Sequence, residues 1–274
     1  MAARTPTALT IAGSDSGGGA GIQADLKAFA SCGVHGTCAI TAITAQNTRE
    51  VRAVASVEPE MVLAQVRAVL EDIGADAVKV GMLGTLETAG AVEAALAELP
   101  PGTPVVVDPV MVAESGARLL EPDAERWLVG HILPLATVVT PNLQEARVLA
   151  GFPEREQELP GEAEQLARSV LALGPAAVIL TGGHRARASD LLLAGAGAEV
   201  LEIEGERHPG GAAHGSGCTH SAVLAAQLAL GRELAQAARI ARARAGAAVA
   251  RGLRELGAGA GPVDVIGLAR LRET

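Results

Sequence analysis

The chain has 274 residues, of which 49% are hydrophobic and 19% charged, and its formal net charge is −9 at pH 7. This composition fits a globular protein with a large core and excludes a disordered chain. The acidic balance and an aromatic content of only 1% argue against binding to nucleic acid or to an anionic membrane surface.

The cysteines and the apolar runs indicate the compartment. Cys32, Cys38 and Cys218 are an odd number with no CxxC pair, which argues against a disulfide framework and a zinc site. The short apolar run at residues 8–12 is too short for a signal peptide, and no apolar stretch has the length of a membrane span. We therefore expect a soluble cytoplasmic protein.

Short strand patterns alternate with helical patterns along most of the chain. Strands are predicted at 8–12, 37–44, 51–57, 77–80, 104–107, 137–140 and 176–180, with a late hairpin at 191–193 and 200–203. Helices are predicted at 22–31, 59–73, 87–99, 162–173, 217–230 and 234–256. This alternation predicts one α/β domain over residues 1–274, with a parallel sheet covered on both faces. Ligands of such sheets bind at the carboxyl ends of the strands.

A glycine-rich loop, residues 13–21, follows the first predicted strand. Its spacing matches neither a P-loop nor a dinucleotide-binding fingerprint. It is either a tight strand-to-helix turn or a place where backbone approaches a ligand. Asp25, in the first turn of the next helix, either accepts hydrogen bonds from a ligand or favours the positive helix end.

A second glycine-rich segment, residues 214–219, precedes the helix predicted at 217–230. Backbone N–H groups at such a helix start form an anion site suited to a phosphoryl group. Cys218 lies in the first turn, where the helix dipole favours a thiolate. The alternative is a small cysteine packed in a turn.

Polar residues follow three further strands. Asp108 and Glu145 offer the hard oxygen ligands that Mg²⁺ prefers. Asn142 is either a further ligand or a helix N-cap paired with Glu145. Residues 181–183 form another loop that allows backbone to approach a nucleotide. Together these features predict a phosphoryl-transfer enzyme.

Seven short motifs follow one another between about residues 7 and 265. They are ALTIAGSD at 8–15, GGAGIQADLK at 18–27, TAQNT at 44–48, KVGML at 79–83, VDPVM at 107–111, TPNLQEA at 140–146 and HGSGCT at 214–219. In this order they resemble the hydroxymethylpyrimidine/phosphomethylpyrimidine kinases of thiamine biosynthesis. The resemblance implies a ribokinase-like three-layer α/β/α sandwich with a mostly parallel central sheet, and a homodimer.

The resemblance also implies an activity and a role for each motif. Such an enzyme uses ATP and Mg²⁺ to phosphorylate 4-amino-5-hydroxymethyl-2-methylpyrimidine and then its monophosphate. The residues implied to contact the pyrimidine are Gly13, Asp25, Gln46 and Met82. The residues implied in phosphoryl transfer are Gly215, Ser216 and Gly217 as the anion hole, with Cys218 as the base near the substrate hydroxyl. Mg²⁺ is assigned to Asp108, Asn142 and Glu145, and the nucleotide to Thr181, Gly182 and Gly183.

Several positions depart from the family pattern. Thr181 and Glu114 stand where the family has lysine, and Ala212 and Ala213 stand where it has Asn-Thr. Ala258 takes the place of a histidine in a late glycine-rich segment. Two alternatives therefore stay open beside the kinase: a pyridoxal kinase of the same branch, and a catalytically weakened pyrimidine-binding relative.

Overall fold

The computed structural model describes residues 4–155, 157–185 and 188–271. Its strands form one sheet in the order β3-β2-β1-β4-β5-β6-β7-β8-β9. The strands are β1 (Thr7–Asp15), β2 (His35–Gln46), β3 (Val51–Ser56), β4 (Ala77–Val80), β5 (Val105–Val107), β6 (Val138–Val139), β7 (Ala177–Leu180), β8 (Asp190–Ala194) and β9 (Leu201–Ile203). The six strands from β2 to β7 in this order run parallel, so the mostly parallel sheet expected from the sequence is confirmed.

Antiparallel strands close both edges of the sheet. The late hairpin is confirmed, because β8 runs antiparallel to β7 and to β9. The strand predicted at 51–57 exists, but its expected place in a parallel sheet is wrong, since β3 pairs antiparallel with β2. Residues 47–50 are too few for a parallel crossover. The side chain of Asn47 closes this turn by accepting N–H bonds from Arg49 and Glu50.

Helices cover both faces of the sheet, which gives the three-layer arrangement. They are α1 (Gly21–Ser31), α2 (Pro59–Asp72), α3 (Leu86–Ala97), α4 (Pro122–Trp127), α5 (Leu143–Ala150), α6 (Glu162–Leu171), α7 (Ser216–Ala229), α8 (Leu234–Ala250) and α9 (Leu268–Leu271). Helices α2 to α6 contribute to the core on one face, and α1, α7 and α8 to the core on the other. The uninterrupted apolar strands thus bury both of their faces.

Three helical segments differ from the sequence prediction. Helix α8 ends at Ala250 rather than at residue 256, and Gly252 then packs so closely on Ala212 that a Cβ would collide with it. Helix α5 begins at the Asn142 cap, and the helical segment 122–135 was not predicted. Within the described part of the chain, no helix combines the length and apolarity needed to cross a membrane.

Candidate active site

A cleft of about 510 Å³ opens at the carboxyl ends of the parallel strands. Because these ends meet at one edge of the sheet, motifs far apart in sequence share its wall. All the site residues predicted from the sequence line this cleft except Asp25. Those lining it are Gly13, Gln46, Met82, Asp108, Asn142, Glu145, Thr181, Gly182, Gly183, Gly215, Ser216, Gly217 and Cys218.

One end of the cleft combines a flat backbone surface with a thioether. A Cβ at Gly13 would lie 2.9 Å from Sδ of Met82, so a larger residue there would displace this methionine. Gln46 ends β2, and its Oε1 accepts a hydrogen bond from Thr44 at 3.2 Å. The amide nitrogen of the Gln46 side chain has no hydrogen bond in the described structure. This end therefore offers apolar packing and one amide group to a planar ligand.

Asp25 lies beneath the cleft wall, with its side chain fully buried. Its Oδ2 accepts hydrogen bonds from Thr10 at 2.6 Å and from Nζ of Lys79 at 3.0 Å. Its Oδ1 is buried without a hydrogen-bond partner among the described residues. Burial raises the pKa of Asp25, while Lys79 opposes that rise. Asp25 therefore does not line the cleft in this structure, and the hydrogen bond from Asp25 to the pyrimidine that the resemblance implies stays a prediction.

Lys79 is a site residue that the sequence analysis did not single out. Its Nζ also lies 3.9 Å from Oδ2 of Asp108, and the side chain is fully buried. The pKa of Lys79 is raised, because the attraction of Asp25 and other nearby groups outweighs its burial. A lysine inside the otherwise apolar strand β4 was the available signal, since a buried lysine needs a partner.

The glycine-rich loop after β1 is held by Asp15. This carboxylate accepts N–H bonds from Gly17, Gly19 and Ala20, and its Oδ2 lies 3.1 Å from Nε2 of His214. Hydrogen bonding lowers the pKa of Asp15 although burial opposes the change. The two glycine-rich loops, which are distant in sequence, are thereby joined at the cleft.

The first turn of α7 presents unpaired backbone N–H groups. Gly215 caps the helix with a φ of 81°. The amide of Ser216 donates to the carbonyl of Ala213, whereas the amides of Gly217 and Cys218 have no partner in the described structure. The unpaired amides at this helix start are therefore those of Gly217 and Cys218, whereas the amide of Ser216 is engaged.

Cys218 lines the cleft at this turn, but the thiolate expected there is not supported. Removal from water raises the pKa of Cys218 to about 12, and Asp108 and Asp25 add to the rise. Lys79 and the N–H of Gly21 oppose it without cancelling it. The dipole of a helix start is thus outweighed by burial beside two carboxylates. At neutral pH the group is a thiol.

The acidic pair at the ends of β5 and β6 faces the same space. Burial, with Asp108 as a like charge, holds the pKa of Glu145 well above its usual range. Oδ1 of Asn142 accepts N–H bonds from Gln144 and Glu145, and Oε2 of Glu145 accepts the N–H of Asn142. The capping box is present, so Asn142 is the cap and its oxygen is not free for a metal ion.

Residues 181–183 border the opposite end of the cleft. The N–H of Gly182 donates to Oδ1 of Asp190 at 2.7 Å, and Gly183 carries no neighbour that a Cβ would meet. Residues 181–183 contain no cationic side chain in place of the lysine that the family pattern has at position 181. Two guanidinium groups that the sequence analysis missed, those of Arg207 and Arg242, line the same cleft.

Comparisons with known proteins agree with the motifs. A family model for phosphomethylpyrimidine kinase matches residues 15–264. The hydroxymethylpyrimidine/phosphomethylpyrimidine kinase of Rhizobium meliloti (strain 1021) is 46% identical over 271 residues, which cover 94% of this chain and 96% of that protein.

Two solved structures show the same fold. Phosphomethylpyrimidine kinase from Clostridium difficile 630 is 38% identical with a TM-score of 0.74, covering 86% of this chain and 96% of that one. The ADP complex of Bacillus subtilis pyridoxal kinase is 38% identical with a TM-score of 0.84, covering 97% and 99%. The chain therefore belongs to the hydroxymethylpyrimidine/phosphomethylpyrimidine kinases of thiamine biosynthesis, a family of phosphotransferases with the ribokinase-like fold, as its motifs predicted.

Proposed function

We propose that the chain uses ATP and Mg²⁺ to phosphorylate 4-amino-5-hydroxymethyl-2-methylpyrimidine and then its monophosphate. The observation that carries the proposal is the pair of unpaired amides at Gly217 and Cys218, which open into the cleft that Gly13 and Met82 also line. The end of the cleft at Gly13 and Met82 fits a flat ring, and the amides at Gly217 and Cys218 fit a group with developing negative charge. Transfer between two bound substrates needs both in one cleft.

The pyrimidine is assigned to the end of the cleft near β1 and β2. Met82 and the neighbouring backbone of Gly13 pack against the ring, and the free amide nitrogen of Gln46 donates to a ring acceptor. Oδ1 of Asp25, which is buried without a partner among the described residues, is assigned as the acceptor for the substrate's amino group. Because Asp25 does not line the cleft, this contact requires the cleft wall to open when the substrate binds. A buried carboxylate oxygen without a partner gains most from such a donor.

Phosphoryl transfer is assigned to the start of α7. The amides of Gly217 and Cys218, with the hydroxyl group of Ser216 and the turn at Gly215, stabilise the transferred group. The sulfur of Cys218 faces the attacking hydroxyl group. A neutral thiol cannot take a second proton, so its role as base requires the minor thiolate form, which Lys79 favours.

The carboxylates of Asp108 and Glu145 fit Mg²⁺. Both residues line the cleft and supply hard oxygen donors. Burial and the repulsion by Asp108 raise the pKa of Glu145, and a divalent cation would oppose that rise. No set of three or more acidic, histidine or cysteine side chains in the described residues forms a complete cage. This agrees with an ion that keeps waters and phosphate oxygens as ligands. Bound Mg²⁺ supplies charge neutralisation at the phosphates. Asn142 acts indirectly by fixing Glu145.

ATP is assigned to the end bordered by residues 181–183. Solved relatives include pyridoxal kinases in complex with ADP. The backbone at Gly183 is open, and Arg207 and Arg242 supply positive charge on the cleft wall. These two arginines offset the lysines that the family pattern has at positions 181 and 114.

A time course followed by mass spectrometry tests this proposal. The purified protein is incubated with the hydroxymethylpyrimidine, ATP and Mg²⁺. We expect the monophosphate to appear first and the diphosphate to follow. A product that stops at the monophosphate refutes the second phosphorylation, and the absence of any phosphorylated product refutes the proposal. A parallel incubation with EDTA is the control for the metal ion.

The second candidate is a pyridoxal kinase. The observation behind it is the likeness to Bacillus subtilis pyridoxal kinase, which is 38% identical, the same identity as the Clostridium difficile phosphomethylpyrimidine kinase. Parallel assays with the pyrimidine and with pyridoxal separate the two. A kcat/KM for pyridoxal about tenfold higher, which corresponds to ~1.4 kcal/mol in the transition state, would favour the second candidate.

We also propose a homodimer through one face of the β2–β3 pair. Ile43 pairs with Ala55 and Ala45 with Ala53, and all four side chains are exposed, Ile43 to 55%. An apolar strip on an edge pair of strands is typical of a contact surface. Sedimentation velocity should give the mass of a dimer, and Ile43→Asp should give that of a monomer. A monomeric wild-type protein contradicts the proposal.

A further inference from the structure

A buried carboxylate joins the first turns of α7 to the loop at residues 181–183. Asp190 begins β8, and its side chain is fully buried. Its Oδ1 accepts the N–H of Gly182 at 2.7 Å, and its Oδ2 lies 2.9 Å from Nε2 of His220 on α7. Arg242 of α8 adds a longer contact of 3.7 Å from Nε to Oδ1. One carboxylate thus contacts three separate elements of the cleft wall.

The loop and the helix are both bonded to this carboxylate. A Cβ at Gly182 would lie 2.5 Å from the carbonyl oxygen of Ser189, so the loop fits tightly on the start of β8. His220 is two residues after Cys218, in the part of α7 that presents the unpaired amides. The position of the His220 ring therefore helps to set the distance between the loop and these amides.

The two ring nitrogens of His220 differ in their hydrogen bonding. The residue is only 4% exposed, and its Nε2 is engaged by Asp190. Its Nδ1 is buried without a hydrogen-bond partner among the described residues, although the ring lines the cleft. The ring thus acts either through Asp190 or by direct contact between Nδ1 and a ligand. The contacts of both oxygens of Asp190 favour the first.

We propose that His220 is a positioning residue that acts through Asp190. It holds the loop at residues 181–183 at a fixed separation from the amides of Gly217 and Cys218. The inference rests on the proposed function, in which the loop borders ATP and the amides bind the transferred group. Loss of the contact between His220 and Asp190 weakens nucleotide binding more than pyrimidine binding, since only the nucleotide spans both segments.

Two substitutions separate the roles of the two ring nitrogens. In His220→Gln the amide nitrogen can occupy the position of Nε2 and keep the bond to Asp190. In His220→Asn the amide is too short for Asp190 but can replace Nδ1. We expect His220→Asn to raise KM for ATP and Kd for the non-hydrolysable ATP analogue AMP-PCP about tenfold, the scale of one hydrogen bond to a charged group. KM for the pyrimidine should change less than twofold, and His220→Gln should resemble the wild type.

The inference is overturned if His220→Asn has the wild-type KM for ATP, or if KM for ATP rises equally in both variants. A loss confined to His220→Gln also overturns it and assigns the effect to Nδ1. Thermal unfolding checks that each variant folds, and His220→Leu replaces His220→Asn if the latter aggregates, with the same expected rise in KM for ATP.

Failure of the proposed function gives a different result. If the wild-type protein binds AMP-PCP but transfers no phosphoryl group from ATP, the proposed function fails, while the Kd for AMP-PCP of the variants still tests His220. If the wild-type protein does not bind AMP-PCP, both are refuted.

Discussion

Nε2 of His214 lies 3.1 Å from Oδ2 of Asp15, a residue 199 positions away in the sequence. Asp15 also accepts three backbone N–H bonds of the loop that follows β1. His214 directly precedes Gly215, the cap of α7. This contact therefore fixes the loop nearest the proposed pyrimidine end against the turn that presents the anion-binding amides.

Replacing His214 should slow phosphoryl transfer more than it destabilises the fold. In His214→Ala we expect kcat to fall about tenfold or more, because small displacements of positioning groups are costly in rate. His214→Gln, which can place a nitrogen near Oδ2 of Asp15, should recover most of the loss. His35→Ala is the matched control, since His35 is exposed at the start of β2. An unchanged kcat in His214→Ala would show that the contact does not position the turn.

Removing one charge of the buried pair of Lys79 and Asp25 should lower the free energy of unfolding more than removing both. In Lys79→Met we expect a loss of about 3–5 kcal/mol in the free energy of unfolding, because Asp25 is left as a buried charge without its cation. The double variant Asp25→Asn with Lys79→Met should recover part of this loss. Urea unfolding measures both.

The control for this pair is the exposed pair of Arg67 and Glu98, where Arg67→Met should leave the free energy of unfolding nearly unchanged. Equal destabilisation of the single and double variants at Lys79 would contradict the charge argument. It would indicate that packing of the lysine stem, and not its ammonium group, stabilises the floor of the cleft.

A second buried ion pair gives the protein a pH dependence at acid pH. Arg147 contacts both carboxylate oxygens of Glu162 at 2.9 Å, and it lowers the pKa of Glu162 below the usual 4.5. A carboxyl group whose pKa is lower in the folded state stabilises that state above its unfolded pKa. This stabilisation is lost as the pH falls from about 4.5 through the lowered value.

Unfolding by urea between pH 6 and pH 3 checks this dependence. We expect the free energy of unfolding of the wild-type protein to fall below pH 4.5, and that of Glu162→Gln to be lower at pH 6 but less dependent on pH. Parallel curves for the two proteins would mean that Glu162 does not account for any of the acid sensitivity.

The mostly parallel sheet and the location of the cleft were predictable from the sequence. Asp108 and Glu145 follow apolar runs, and the carboxyl ends of parallel strands meet at one edge. The direction of β3 was missed because the strand–helix alternation of the chain implied a parallel strand, whereas the short connection between β2 and β3 permits only an antiparallel one. The turn at residues 47–50 carried that information.

The features of the site that could not be predicted from the sequence depend on which side chains are buried together. Cys218 has the helix start that favours a thiolate, but its distance from water depends on how α7 packs against β4 and β5. The contacts of Asp15 with His214 and of Asp190 with His220 join residues far apart in sequence. No periodicity or spacing predicts such pairs. Lys79 was the exception, since a lysine in an apolar strand signals a buried partner.

The most direct test of the account is kcat of Cys218→Ala, measured with saturating pyrimidine, ATP and Mg²⁺. The account predicts that most of the turnover is lost, while Kd for ADP stays within about twofold, because the backbone amides at Gly217 and position 218 are retained. Cys218→Ser, which keeps a polar atom near the substrate hydroxyl group, should retain more activity than Cys218→Ala. A kcat for Cys218→Ala close to the wild-type value would contradict the assignment of Cys218 as the residue that acts on the substrate hydroxyl group.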